Sequence, residues 1–135
     1  MAVIALDTNV VVRLLVADDA AQARRARALL AAGHEVRIPV TVLLETEWVL
    51  RSAYGYPAPQ VMNFLRGLLG LPGVGTDNAP AVAAAITACE QGLDFADALH
   101  MTQSRDAERF YTFDANLRRR APRAMPGGVQ VSVPG

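Results

Sequence analysis

The side chains best equipped for chemistry in this sequence are its carboxylates, and several stand where a catalytic group would. Asp7 follows directly on the apolar run Val3-Ile4-Ala5-Leu6. Glu45 and Glu47 sit in the largely apolar stretch Val42-Leu43-Leu44-Glu45-Thr46-Glu47-Trp48-Val49-Leu50. Asp94 and Asp97 form an Asp-x-x-Asp pair, and Asp114 follows Phe110-Tyr111-Thr112-Phe113. Each has an ordinary structural use. Asp7, Asp94 and Asp114 could cap helices, and Glu47 has Arg51 one turn on for a surface pairing. Gathered at one edge of a sheet, however, such carboxylates would repel one another unless a cation sat among them. With oxygen donors, one cysteine and two histidines to choose from, that cation is hard: Mg2+ or Mn2+. Glu45 has Thr41, Val42, Trp48 and Val49 as helical neighbours, and Glu47 has Leu43, Leu44, Leu50 and Arg51. Periodicity therefore leaves the choice between the two glutamates open.

Composition narrows the chemistry further. The 135 residues carry 13 basic and 13 acidic side chains, and every basic one is arginine. Without lysine there is no Schiff-base catalysis and no phosphate-binding loop ending in Gly-Lys-Ser/Thr. A hydrophobic fraction of 52% with 19% charged residues fits a globule with a sizeable core rather than a disordered chain. Cys89 stands alone in an alanine-rich apolar run, which reads as a core thiol in a reducing, cytoplasmic setting. Residues 1–6 lack the length and charge of a signal peptide, and no run reaches the roughly 18 apolar residues of a membrane span.

The elements that must position these acids alternate. Val3 to Leu6 predicts a strand buried on both faces. A helix of about three turns follows through Val16, then a second from Ala20 to Ala32, capped at Asp18-Asp19 and stopped by Gly33. His34 to Ile38 predicts a strand, Thr41 to Ala53 and Pro59 to Leu69 two helices, and Val74-Gly75-Thr76 a short strand edge. Pro80 opens an alanine-rich helix to Gln91, and Asp94 starts another running to about Asp106. Arg109 to Phe113 is a strand, an arginine-rich helix follows, and Val129 to Val133 ends the series. Trp48 and Phe64 read as core or interface packing. Alternating strands and helices without an internal boundary predict one α/β domain over residues 1–135, with a parallel sheet covered on both faces. Functional groups in that architecture gather at the carboxyl ends of the strands.

Four segments carry a specific resemblance. Ile4-Ala5-Leu6-Asp7-Thr8-Asn9-Val10-Val11 resembles the opening of PIN-domain ribonucleases of the VapC toxin type. Ile38 to Leu50, Leu93-Asp94-Phe95-Ala96-Asp97-Ala98-Leu99-His100 and Tyr111-Thr112-Phe113-Asp114-Ala115-Asn116-Leu117 resemble the segments that follow in that family, in order and spacing. The resemblance implies a three-layer α/β/α sandwich around a short central parallel sheet of four to five strands. It also implies Asp7, Glu45 (not Glu47), Asp97 and Asp114 as catalytic, metal-binding acids, leaving Asp94 as a helix cap. Thr8, Asn9, Thr112 and Asn116 then become supporting residues, Asn116 standing where some members place the fourth acid.

The implied activity is that of a Mg2+- or Mn2+-dependent endoribonuclease, the toxin of a type II VapBC toxin–antitoxin system. Such an enzyme hydrolyses RNA with a metal-activated water, leaving a 5′-phosphate and a 3′-hydroxyl. Implied partners are an RNA substrate, with transfer RNA the family-level expectation, a VapB-type antitoxin and a second copy of the chain. Arg118, Arg119 and Arg120, with Arg123, lie just past Asp114 as candidate RNA contacts; Arg24, Arg25 and Arg27 share another helix. His100, one turn after Asp97, reads as a partly buried structural histidine. The rivals are a catalytically silent PIN-like interaction or RNA-binding module, and a Mg2+-dependent aspartate phosphatase. The latter chemistry depends on a lysine that is absent. Setting the four proposed ligands aside leaves nine acids against 13 arginines, so a neutral total conceals an acidic site on a cationic protein.

Overall fold

The computed structural model describes residues 2–135, which form two compact units, one up to Asn78 and one from Ala79 to Gly135. The first unit runs β1 (Val3–Ala5), α1 (Thr8–Leu15), α2 (Ala20–Ala31), β2 (Glu35–Arg37), α3 (Val40–Ser52), α4 (Ala58–Leu69) and β3 (Val74–Gly75). Its strands pair in the order β1-β2-β3, all parallel, with Ile4 opposite Val36 and Val36 opposite Val74. Helical crossovers between successive strands are what parallel pairing requires.

Local signals account for the helix ends. Asp19 caps α2 by accepting from the Gln22 backbone N–H at 3.0 Å, and Gly33, at φ +83°, takes the left-handed turn that stops it. Pro39 precedes α3 and has no side-chain acceptor to offer. Asp77, just past β3, takes over by accepting from the Val40 N–H at 2.9 Å. The core of this unit joins Val11 and Val12 of α1 to Leu43 and Leu50 of α3 and Val61, Met62 and Leu65 of α4. Full burial of each such side chain contributes about 1.5–3 kcal/mol.

Two expectations are corrected here. Val3 and Ala5, on one face of β1, are exposed, while Ile4 and Leu6 on the other face are half-buried and buried, so the strand is covered on one face rather than both. Of the core or interface packing expected of Trp48, the core alternative falls, since Trp48 is 59% exposed while α3 turns Leu43, Thr46, Glu47 and Leu50 inward. Phe64 is half-buried and packs edge-on against Tyr56.

The second unit runs α5 (Ala79–Glu90), α6 (Phe95–Thr102), β4 (Arg109–Tyr111), α7 (Ala115–Ala124) and β5 (Gln130–Ser132). Ala81, Val82, Ala85, Ile86 and Cys89 of α5 and Phe95, Ala98, Leu99 and Met101 of α6 are buried, alanine letting the helices approach closely. Cys89 is thus a buried thiol in no disulfide, as expected. α6 stops at Thr102, short of Asp106. There the Thr102 and Ser104 hydroxyls donate back to the carbonyls of Leu99 and His100, at 3.2 and 2.8 Å, and residues 103–106 offer no apolar side chain to bury. β4 and β5 pair parallel, Phe110 opposite Val131. The five strands therefore hydrogen-bond as a three-stranded and a two-stranded sheet rather than as one. Seven helices and all-parallel pairing among the described residues make this the mixed α/β fold expected of the PIN-like α/β/α class. No helix among the described residues is long and apolar enough to cross a membrane.

Candidate metal centre

In the first unit Asp7 occupies the N-cap position of α1, yet its side chain makes no capping bond. Its main-chain carbonyl accepts from Val10 and Val11, and the exposed carboxylate is uncommitted. This differs from Asp19, Asp94 and Asp114, whose carboxylates all accept from backbone N–H groups of the helices they open. Thr8, buried at the start of α1, donates its hydroxyl to Glu45 Oε1 on α3. That bond fixes an otherwise exposed carboxylate.

Two residues on, Glu47 has the opposite surroundings. It is 1% exposed and pairs with Arg51, through Nε to Oε2 and through Nη2 to Oε1 at 3.1 Å. The pairing with Arg51 is the expected one, but it is no surface contact: Glu47 shares the inward face of α3 with Leu43 and Leu50. A buried carboxylate survives there only because the guanidinium neutralises it. The two glutamates, inseparable by periodicity, are separated by burial.

In the second unit Asp94 caps α6, accepting from the Asp97 N–H at 3.3 Å. Asp97 is half-buried, and its carboxyl pKa is raised from the ordinary aspartate value. Burial is the first cause, then the negative charges of Asp94 and Asp114, while His100 one turn on pulls the other way. His100 itself is exposed, so the expected partial burial is not found. Asp114 caps α7, with Oδ1 accepting from Asn116 and Leu117 at 2.9 and 3.1 Å, which leaves Oδ2 without a partner among the described residues. Thr112 braces the turn: its hydroxyl accepts from the Asp114 N–H at 3.0 Å, and its N–H donates to the Ser132 carbonyl of β5. Asn116 accepts from the Arg119 side chain.

The structure thus links Thr8 with Glu45 in one unit, and Thr112, Asp114 and Asn116 in the other, with Asp97 in the field of Asp114. Asn9 is exposed and, with Val10, Arg13, Gln22, Arg25 and Leu29, lines a cavity of about 530 Å3 beside α1 and α2. Among the described residues no group of three or more His, Cys, Asp and Glu side chains is gathered tightly enough to hold a metal ion. The exposed Asp7 and the oriented Glu45 of the first unit, and the half-buried Asp97 and the open Oδ2 of Asp114 in the second, each offer only hard oxygen. That is the chemistry Mg2+ and Mn2+ require.

Two features escaped sequence reasoning. Arg13 of α1 donates to Gln22 at 2.7 Å, Asp18 at 3.2 Å and Tyr54 at 3.3 Å, tying three elements together. Its place beside the apolar stripe of α1 gave no sign of those distant partners. Phe113, next to Asp114, is 83% exposed although it continues a strand-like run; β4 ends two residues earlier, at Tyr111.

No curated protein sequence matches the chain. A family model described as the PIN domain matches residues 4–122, a span that crosses both units and includes all four candidate acids. With that much of its length matched, the chain belongs to the PIN domain family, whose fold generally serves metal-dependent nucleases.

Proposed function

We propose that this chain is, as one PIN domain, a Mg2+- or Mn2+-dependent endoribonuclease and the VapC-type toxin of a type II toxin–antitoxin pair. In this reading it acts in the cytoplasm as a homodimer, held silent by a VapB-type antitoxin, with RNA, transfer RNA foremost, as substrate. Asp7, Glu45, Asp97 and Asp114 are the catalytic acids and metal ligands. The observation that carries the reading is the PIN-family match over residues 4–122, which spans all four acids, and the surroundings of Asp97 support it. A half-buried carboxyl held beside Asp94 and Asp114, with no arginine paired to it among the described residues, is a site that a divalent cation would relieve.

The residues present fit such an ion by donor chemistry. When bound, the ion neutralises charge on the scissile phosphate and makes water acidic enough to supply a nucleophile near neutral pH. The chain's own groups do the positioning. Thr8 orients Glu45, the α6 cap holds Asp97 at the head of its helix, and Thr112 fixes the turn that presents Asp114. Hydrolysis breaks the P–O3′ bond, water supplying the oxygen that stays on the 5′-phosphate while O3′ leaves with a proton. No 2′-hydroxyl and no protein nucleophile takes part.

The test is RNA cleavage by the purified chain with Mg2+ or Mn2+, with chelator, and for Asp7→Asn. Cleavage that needs the metal and is lost in folded Asp7→Asn is expected. A wild type that cuts nothing, or a folded Asp7→Asn that cuts equally well, defeats the reading.

A further inference from the structure

We propose that the cavity between the end of α5 and the outer face of α7 is a phosphate-binding pocket for an RNA backbone, with Arg119, Arg120 and Arg123 as its ligands. The cavity measures about 580 Å3 and is lined by Gln91, Gly92 and those three arginines. No carboxylate lines it, and no acid pairs with any of the three among the described residues.

Helix geometry selects these arginines from the run. α7 buries Leu117, Ala121 and Ala124. Asn116, Arg119, Arg120 and Arg123 recur at i, i+3, i+4 and i+7 and so share one exposed face. Arg118 is one residue out of phase, on the other flank, and lines no part of the cavity. Three like charges held on one face around a cavity are an anion site by chemistry. The planar guanidinium matches a phosphate's oxygens in pairs, and Gln91 adds an amide.

The pocket is also joined to the proposed metal site. Arg119 donates to the Asn116 side chain, whose backbone N–H donates to Asp114 Oδ1. A strand cut beside Asp114 would therefore pass a flanking phosphate along α7. Such a contact positions the substrate without reading its sequence. That the phosphate belongs to RNA rests on the nuclease reading; the pocket itself does not.

The experiment is binding of a short fluorescein-labelled, mixed-sequence single-stranded RNA in chelator, followed by anisotropy between about 50 and 200 mM salt. Arg120→Ala and Arg123→Ala should each weaken binding about three- to tenfold. Each should also flatten the plot of log affinity against log salt by about 0.7, the single-strand value for one phosphate contact. Arg118→Ala should have the smaller effect on both. Unchanged affinity and slope in the Arg120 and Arg123 variants, or an Arg118→Ala loss as large as theirs, overturns the proposal. Polyglutamate that displaces RNA as well as inorganic polyphosphate does would mark a surface for acidic protein, and also overturns it. RNA bound through these arginines but never cut with Mg2+ would defeat the nuclease reading and leave the pocket standing. Cleavage and binding indifferent to both arginines would do the reverse.

Discussion

The α3 glutamates of the first unit and Asp97 of the second have opposite surroundings. In the first, the glutamates of α3 are each answered by a named donor: Glu45 by the Thr8 hydroxyl and buried Glu47 by the Arg51 guanidinium. In the second, Asp97 lies in the field of Asp94 and Asp114, while the arginines of α7 stay on a face of their own. Pairing exposed charges would add little stability, so keeping them apart costs little and leaves each set open to an external partner, a cation for one and a polyanion for the other.

The comparison breaks most readily at Glu47. Arg51→Ala should strand the buried Glu47 carboxylate and cost about 3–5 kcal/mol in urea denaturation. A loss below about 1 kcal/mol would mean the pair is not a buried structural one. Glu45→Gln should do the reverse, lowering RNA cleavage about a hundredfold while the melting temperature hardly moves. If activity follows Glu47 rather than Glu45, the two roles have been exchanged.

Thr8→Val removes the donor that orients Glu45 and keeps the shape, so cleavage should fall about tenfold, with Thr8→Ser restoring it. Full activity in Thr8→Val would make that hydrogen bond irrelevant to the site.

The smallest effect belongs to Asp97. Because its folded-state pKa is raised, its contribution to stability is greatest below the ordinary aspartate value and is lost as pH rises through the raised one. In metal-free buffer at neutral pH, Asp97→Asn should therefore raise the melting temperature. Partial exposure and solvent screening keep the gain under about 1 kcal/mol, a few degrees at most. A lower melting temperature would show that Asp97 is paired after all.

Much of this was legible in the sequence. The apolar run closed by Asp7, the Asp94 cap, the Gly33 stop and the Asp114 turn all depend on neighbours a few residues away, and each formed where expected. Burial was harder to foresee. The apolar run of β1 predicted enclosure on both faces, but Val3 and Ala5 stay exposed, because which face is covered is decided by elements far off in the chain. The glutamates of α3 show the same limit: both have mixed helical neighbours, and only tertiary packing decides that Glu47 is enclosed and Glu45 is not. The α7 arginines were visible as a run, whereas their division by face needed the buried Leu117-Ala121-Ala124 stripe to set the helix phase.

The central claim is that Asp97 is a ligand for a divalent cation. Its most direct test is the melting temperature of wild type and Asp97→Asn, measured with and without Mn2+ or Mg2+ in otherwise identical buffer. A ligand at a hundred times its dissociation constant stabilises the state it binds by about 2.7 kcal/mol. Wild type should therefore gain several degrees with metal, and Asp97→Asn should lose most of that gain. Equal shifts in the two proteins, or no shift in wild type, would contradict the account.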